Sequence, residues 1–374
     1  MTTEKREGYV FFLAVLPVYR EACIRTLLER HGDEIQLYAG DAQLDATVRT
    51  GISEGYFRPV RNIPLLGNRL LLQCGGLRSA LRSDVCVIDL NPRSLSAWVI
   101  ALMRKAGGRR TLAWGHLHPR SGASSRTAPL RRLLRKITAG TILYGYDSVA
   151  FARRELPGKP VWVAPNSLYS ESDILASQSH DRRRIVYVGR LEAAKNVQIL
   201  VEGFARSKLR YEGYTLDIVG FGSLEADLRR QAEDLEVTDF VNIHGRIDCV
   251  DELAKIYSDA AFSVSPGYVG LSVTQSLGFG VPMLYAETAT HSPEIELARF
   301  GAMKAFAPNT ATGLGDAMAL YAREIRENLI DRHELAARVR AFYSAEAMAA
   351  GLWSALCDVE IPLAEDGWPI EEHA

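Results

Sequence analysis

Two cations five residues apart, Arg190 and Lys195, follow the apolar run Ile185 to Val188 and Gly189, and the helical pattern VQILVEGFA begins just after them. A guanidinium offers a planar fork of donors and an ammonium a mobile point charge, so such a pair beyond a strand's C-terminal end suits a phosphate. Two solvated cations flanking a helix give the same pattern. The logic repeats where LDIVG runs into Gly220-Phe221-Gly222 before a helix at Leu224, since a glycine pair permits a tight turn and close backbone approach. A third instance follows Phe262 to Val264, in SPGYVGLSVTQSLGFGVPMLY. Gly267 and Gly270 there precede a short helix predicted over Leu271 to Leu277, with Ser272 in its first turn. A helix start stripped of bulk leaves backbone N–H groups for an anion; an ordinary loop-to-helix turn is the other reading.

The first half offers a second group. His116 and His118 lie just past Thr111 to Trp114, where ligands of a parallel sheet bind. His116 suits a hydrogen-bonding or proton-handling role toward a ligand there, His118 a lesser part of it, and a loop histidine satisfied by backbone is the alternative. An HxH pair can also bind metal, but no third ligand accompanies it, and no metal site is expected. Arg20, after the first strand's PVY, is placed for an anion or is a helix-start cation, and Arg120 adds to the same side. In APLRRLLRKITAG a 3.6-residue period puts Leu130, Leu133, Leu134 and Ile137 on one face and Arg131, Arg132, Arg135 and Lys136 on the other. The expectation is a sheet-covering helix with a cationic outer face that attracts anionic headgroups.

These side chains need a scaffold, and short apolar runs alternating with helical patterns supply one: an α/β fold with parallel sheets covered by helices. Strands are predicted at Tyr9 to Leu16, Glu34 to Ala39, Val85 to Asp89, Thr111 to Trp114, Thr141 to Tyr144 and Val161 to Ala164. Further strands are predicted at Ile185 to Val188, Leu216 to Val219, Val241 to Ile243, Ala261 to Val264 and Met283 to Tyr285. Periodicity lapses in the Ser- and Asp-rich stretch from Pro165, which marks a boundary. The expected organisation is a first domain at 1–165, a second at 166–345 and a helix with a loose acidic tail at 346–374.

The 374 residues suit two domains, and 47% apolar with 24% charged residues excludes a chain dominated by disorder. A net charge of -1 hides a division: residues 1–165 hold 25 basic and 13 acidic residues, net +12, and the rest is net -13. That asymmetry argues against uniform nucleic-acid binding and for a basic part that meets something anionic. Five scattered cysteines without CxxC spacing read as buried thiols of a reducing compartment. MTTEKREG before the run from Tyr9 imitates a signal peptide, but with no small-residue cleavage site it reads as a first strand. No apolar run approaches the roughly 20 residues of a membrane-spanning helix.

Taken in order, GRLEAAKN (189–196), IVGFGSLEADL (218–228), IHGRI (243–247) and PGYVGLSVTQSLGFGVP (266–282), with Pro165-Asn166-Ser167, resemble the C-terminal domain of glycosyltransferase family 4. These are the retaining enzymes of the two-domain GT-B fold. The first half matches only through Tyr19-Arg20 and Trp114 to His116. The resemblance implies two Rossmann-like domains facing a cleft, C-terminal helices crossing back to the first domain, and metal-independent transfer from a nucleotide diphosphate-sugar, with no cofactor. It implies that Arg190 and Lys195 hold the diphosphate with the backbone after Gly189, Gly222 and Gly270 and with Leu271 and Ser272. Arg246 and Ile247 would then lie near the base and His116 beside the transferred sugar. The family's two glutamates eight positions apart correspond to Gly267 and Gln275 here; Gln275 can still meet a ribose hydroxyl, and Glu294 and Glu296 are candidates to take over sugar contacts. The acceptor class that the resemblance implies is a lipid-linked or other saccharide in bacterial surface polysaccharide synthesis, on the inner face of the cell membrane. A non-catalytic GT-B subunit and a nucleotide-sugar epimerase on the same fold are the alternatives.

Overall fold

The computed structural model describes residues 8–44, 48–118, 125–176, 179, 182–328 and 330–370. The chain divides into two compact units, one from residues 1–170 and 342–374, the other from 171–341. The expected boundary at 165/166 lies a few residues ahead of that division, and the chain rejoins the first unit at Phe342.

The first unit is built on a seven-stranded parallel sheet. Its strands, with a hairpin outside the sheet, are β1 (Tyr9–Leu13), β2 (Ile35–Ala39), β3 (Arg58–Pro59), the hairpin β4 (Arg61–Leu65) and β5 (Leu70–Cys74), then β6 (Val85–Asp89), β7 (Arg110–Gly115), β8 (Gly140–Leu143) and β9 (Val161–Val163). The sheet order is β3-β2-β1-β6-β7-β8-β9. Parallel strands covered on both faces read as continuous apolar runs rather than alternations, as in Val85-Cys86-Val87-Ile88, all buried. Phe11, Leu37, Val87, Leu112 and Trp114 face α1 (Glu21–His31) and the C-terminal helix Ala345–Cys357. Val10, Phe12, Ile88 and Ala113 face α2 (Leu77–Arg82), α3 (Leu95–Ala106) and α4 (Ala128–Ile137). Helix α5 (Ser148–Glu155) leads into β9. Ser94 caps α3 by accepting the Ala97 N–H, and Ser344 caps the C-terminal helix through Ala347 N–H.

The second unit carries a six-stranded parallel sheet of β10 (Arg184–Val188), β11 (Thr215–Val219), β12 (Val241–Gly245), β13 (Ala260–Ser265), β14 (Met283–Ala286) and β15 (Met303–Phe306), ordered β12-β11-β10-β13-β14-β15. Ile185 sits opposite Leu216 and Phe262 at its centre. Helices α6 (Leu200–Ser207), α7 (Glu225–Asp234), α8 (Val250–Ser258), α9 (Ser272–Gly278) and α10 (Ala311–Glu327) cover it. Leu200, Phe204, Leu314 and Met318 from α6 and α10 join one core with Ile185, Leu216 and Phe262.

Every predicted strand coincides with an observed one, although the first ends at Leu13 rather than Leu16. The β4–β5 hairpin was not expected, because it is half exposed and carries Pro64; short β3 and β15 lacked a long enough apolar run. Two expectations are overturned. Only Cys23 and Cys86 are buried; Cys74, Cys249 and Cys357 are exposed. The tail is docked through residue 370: Trp368 is buried, its ring lies 4.7 Å from that of Tyr146, and its Nε1 donates to Asp147 at 2.7 Å.

Candidate functional site

In the second unit three strand ends converge. The Gly189 N–H donates to Val219 O and the Gly220 N–H to Gly245 O, which ties the turns after β10, β11 and β12 together. At Gly220 (φ +150°) a Cβ would lie 1.8 Å from Gly189 O, so only glycine lets these turns interlock. The exposed Arg190 side chain forms no hydrogen bond or ion pair among the described residues, while its carbonyl accepts from Tyr187 OH at 2.9 Å. Lys195 ends a short 3-10 turn; its Nζ donates to Tyr268 O at 2.7 Å and stands 4.7 Å from the Tyr268 ring centroid. Asn196, in a left-handed conformation (φ +52°), donates to Pro266 O at 3.3 Å and to Asn309 Oδ1 at 2.9 Å. The cation-bearing turn after β10 is thereby fastened to the 266–270 loop after β13.

That loop leads into α9, which spans Ser272–Gly278 with Leu271 as its cap, one residue later than expected. A Cβ on Gly267 would lie 2.5 Å from the carbonyl carbon of Lys195. The place of the family's first glutamate is thus closed to side chains by the Lys195 backbone. Of the proposed substitutes, Glu294 and Glu296 are 1% and 5% exposed, and Glu294 accepts from Ser292 Oγ of its own loop. Gln275 is likewise buried, at 4% exposure. Gly222 is half-buried, a Cβ there meeting Leu191 O at 2.3 Å. Arg246 is exposed, bonded to Asp248, with its guanidinium 5.3 Å from the Phe221 ring, and Ile247 is half-buried beside it.

Two residues were missed. Phe221, 51% exposed between two glycines, presents an aromatic face at the end of β11; its signal was an aromatic where a glycine turn needs none. His291 Nδ1 accepts the Val269 N–H at 3.2 Å and its Nε2 donates to Ala286 O at 2.9 Å, an arrangement that requires the neutral imidazole. Burial, with Lys195 nearby, holds its pKa below the ordinary value despite the bond to Ala286. Both partners are backbone atoms, so no sequence pattern reveals it.

In the first unit a cavity of 540 Å³ opens beyond the C-terminal ends of β1, β6, β7 and β8, lined by Arg20, Asp89, Arg93, Trp114, His116, Arg131 and Tyr144 among others. Arg20 is 7% exposed; its Nη2 donates to Tyr144 OH, and its guanidinium lies 4.5 Å from the Trp114 ring. Burial pushes the Asp89 carboxyl up to about 6, against the Ala14 N–H and Arg20, which pull it down. His116 is exposed and packs edge-on to Tyr144 at 4.7 Å. His118 does not line the cavity; it packs on Phe151 of α5 at 4.7 Å, and burial lowers its pKa. Arg120 lies outside the described residues. No group of three His, Cys, Asp or Glu side chains that could hold a metal occurs among the described residues.

The cationic face expected on α4 is also corrected. Arg135 is 1% exposed, paired with Glu155 and bonded to Ala152 O and Thr141 Oγ1. Arg131 is half-buried, its Nη1 donating to Leu90 O and His116 O, and burial pushes its pKa down to about 10. Only Arg132 and Lys136 are exposed, and they share the surface with Leu130 and Leu133, 48% and 46% exposed. The carbonyl, carboxylate and hydroxyl that admit Arg135 to the interior come from α5 and β8, so the helix's own pattern did not reveal them.

Comparison with known proteins locates a recognisable domain. Residues 171–320 match the family model of the glycosyl transferases group 1. Over 104 residues the chain is 30% identical to the GtfA subunit of the UDP-N-acetylglucosamine–peptide N-acetylglucosaminyltransferase of Streptococcus gordonii, a stretch that covers 27% of this chain and 20% of that relative. The chain thus matches about a fifth of the length of that curated relative. Over 94% of the chain and 99% of the other, it is similar to the crystal structure of the pneumococcal O-GlcNAc transferase GtfA in complex with UDP and GlcNAc, with a TM-score of 0.67 at 9% identity. Over 95% of the chain and 100% of the other, it is similar to Anabaena HepE in complex with UDP and glucose, with a TM-score of 0.62 at 12% identity. At these identities the likeness is one of fold, and the two parallel-sheet α/β units are those of the GT-B fold.

Proposed function

We propose that this chain, with its glycosyl transferases group 1 domain at 171–320, moves a sugar from a nucleoside diphosphate-sugar to an acceptor with retention of anomeric configuration. The observation that carries the reading is Arg190 and Lys195 at the end of β10, fastened by Asn196 to the 266–270 loop. In the reaction the bond between the anomeric carbon and the diphosphate oxygen breaks, the acceptor hydroxyl oxygen bonds to that carbon, and its proton passes to the departing diphosphate. Positive character builds on the sugar and negative charge on the leaving group. Arg190 donates a planar fork to that charge, and Lys195, already placed by the Tyr268 carbonyl, adds a point charge with little reorganisation. Gly189, Gly222 and Gly270 keep backbone near the phosphates, Phe221 and Arg246 offer a face for the base, and His116 stands on the acceptor side.

Arg190→Ala and Lys195→Ala are each expected to cut turnover of the preferred donor at least about 100-fold, the scale of losing one charge-stabilising donor. A thermal-shift screen over nucleotide sugars, beginning with UDP-sugars, identifies that donor, because a ligand at 100 times its Kd adds about 2.7 kcal/mol. Rates near wild type in both variants would overturn the assignment. The buried Glu294 and the closed position at Gly267 favour a second reading, a GT-B subunit that binds donor without turning it over; sugar release from donor by the isolated chain excludes it. No helix among the described residues is long and apolar enough to cross a membrane. The exposed Leu130 and Leu133 beside Arg132 and Lys136 support an acceptor met at an anionic membrane surface, such as a lipid-linked saccharide.

A further inference from the structure

The cavity of the first unit holds three guanidinium groups and one carboxylate: Arg20, Arg93, Arg131 and Asp89. None of the three arginines forms an ion pair among the described residues. Arg20 donates to the Tyr144 hydroxyl, Arg93 to the Arg69 and Asn68 carbonyls, and Arg131 to the Leu90 and His116 carbonyls. Each is positioned by neutral oxygens. Asp89 is tied to the Ala14 N–H and leaves the lining with an excess of two positive charges.

Hydrogen bonding points the same way. Buried polar atoms without partners are rare in folded proteins. Yet Arg20 Nε, Arg131 Nε and Trp114 Nε1 are all buried and unpartnered, and all three side chains line this one cavity. Every one of them is a donor. Arg20 itself is 7% exposed, so its charge is held in a medium where an anion is attracted far more strongly than at the surface. The 540 Å³ volume falls within the roughly 300–1,000 Å³ of small-molecule sites.

We propose that this cavity binds an oxyanion carried by the acceptor, a phosphate or a carboxylate, with Arg20 and Arg131 as its principal ligands. The inference rests on the reading of the first unit as the acceptor side, and it names the acceptor as an acidic or phosphorylated saccharide rather than a neutral one. Arg20 is fixed by Tyr144 and the Trp114 ring, so the anion meets a preset donor fork.

The test uses the full chain carrying Arg190→Ala with Lys195→Ala, so that anions are not read through the donor site. It is titrated at constant ionic strength with inorganic phosphate, glucuronate and glucose, and binding is followed by thermal shift and calorimetry. Phosphate or glucuronate is expected to bind and glucose not, and the tighter of the two anions identifies the group. Arg20→Gln and Arg131→Gln, each added to that background, are expected to weaken the anion at least tenfold, while Arg20→Lys, which keeps the charge if Gln impairs folding, retains part of the affinity. In the parent chain the same changes are expected to leave UDP affinity within about twofold. Anion binding that survives both Gln changes, or that is absent from the chain carrying Arg190→Ala with Lys195→Ala, overturns the proposal. A chain that binds the anion but no nucleotide overturns the donor reading alone and leaves the oxyanion cavity standing.

Discussion

A Cβ on Gly267 would meet the Lys195 carbonyl carbon at 2.5 Å, so any side chain there must push the Lys195 backbone away from the loop its own ammonium holds. Overpacking of this kind costs about 1–3 kcal/mol. Gly267→Ala is therefore expected to weaken UDP binding by calorimetry roughly tenfold, and an unchanged affinity would show that Lys195 does not act from this position. Asp89 makes a pH prediction. Its folded pKa of about 6 lies above the ordinary 3.8, so between those values the folded state binds more protons than the unfolded, and stability falls as pH rises through the window. The effect is about 3 kcal/mol at most, and Asp89→Asn should abolish it. Urea unfolding at pH 4.5 and pH 7 is expected to show the wild type losing stability relative to that variant; parallel profiles would mean that Asp89 is not desolvated. The position of Arg190 and Lys195 just beyond β10 was legible because an apolar run ending in glycine marks a strand and its turn. Asp89 and His291 were not, because what matters about them is burial and bonds to distant backbone.

Among the elements, α4 shows how far periodicity reaches. Its pattern separates an arginine face from a leucine face, but it does not say which neighbours wait on each side. Leu134 goes inward as expected, and so does Arg135, because Glu155, Ala152 O and Thr141 Oγ1 satisfy its guanidinium. Removing one partner of a buried ion pair costs about 3–5 kcal/mol, and with Glu155 still 27% exposed the lower end applies. Arg135→Met is expected to lose about 3 kcal/mol in denaturant unfolding. Leu133→Ser, on a side chain already 46% exposed, should lose less than about 0.5 kcal/mol. Equal losses would restore the arrangement expected from sequence. The strands were legible for the opposite reason: in a parallel sheet covered on both faces the apolar run and the element coincide. The β4–β5 hairpin, exposed and outside the main sheet, carries no such signal.

At the scale of the whole chain, the charge division changes with the folding units. The segment 342–374 has seven acidic and no basic residues and belongs with the first unit, which therefore holds 25 basic and 20 acidic residues, net +5, against net -6 for the second. Part of the correction is local: Arg110 bonds Asp358 at 2.6 Å and the carbonyls of Leu356 and Ala355 at the C-terminal helix end. The proposed attraction to an anionic surface then rests on few groups of α4. Arg132 and Lys136, at about 1 kcal/mol each near the headgroups, supply about 2 kcal/mol, or roughly 30-fold in partitioning. The exposed halves of Leu130 and Leu133 supply about 1 kcal/mol each on insertion, a similar factor that salt does not screen. Cosedimentation with vesicles containing phosphatidylglycerol should therefore weaken by no more than about 30-fold in 1 M NaCl, where screening extends only about 3 Å. Leu130→Ser with Leu133→Ser should weaken it about as much at low salt, with UDP affinity unchanged. A face of four solvated cations would instead lose roughly 1,000-fold to salt and nothing to the serines. That result would mean the buried positions of Arg131 and Arg135 do not persist at the membrane.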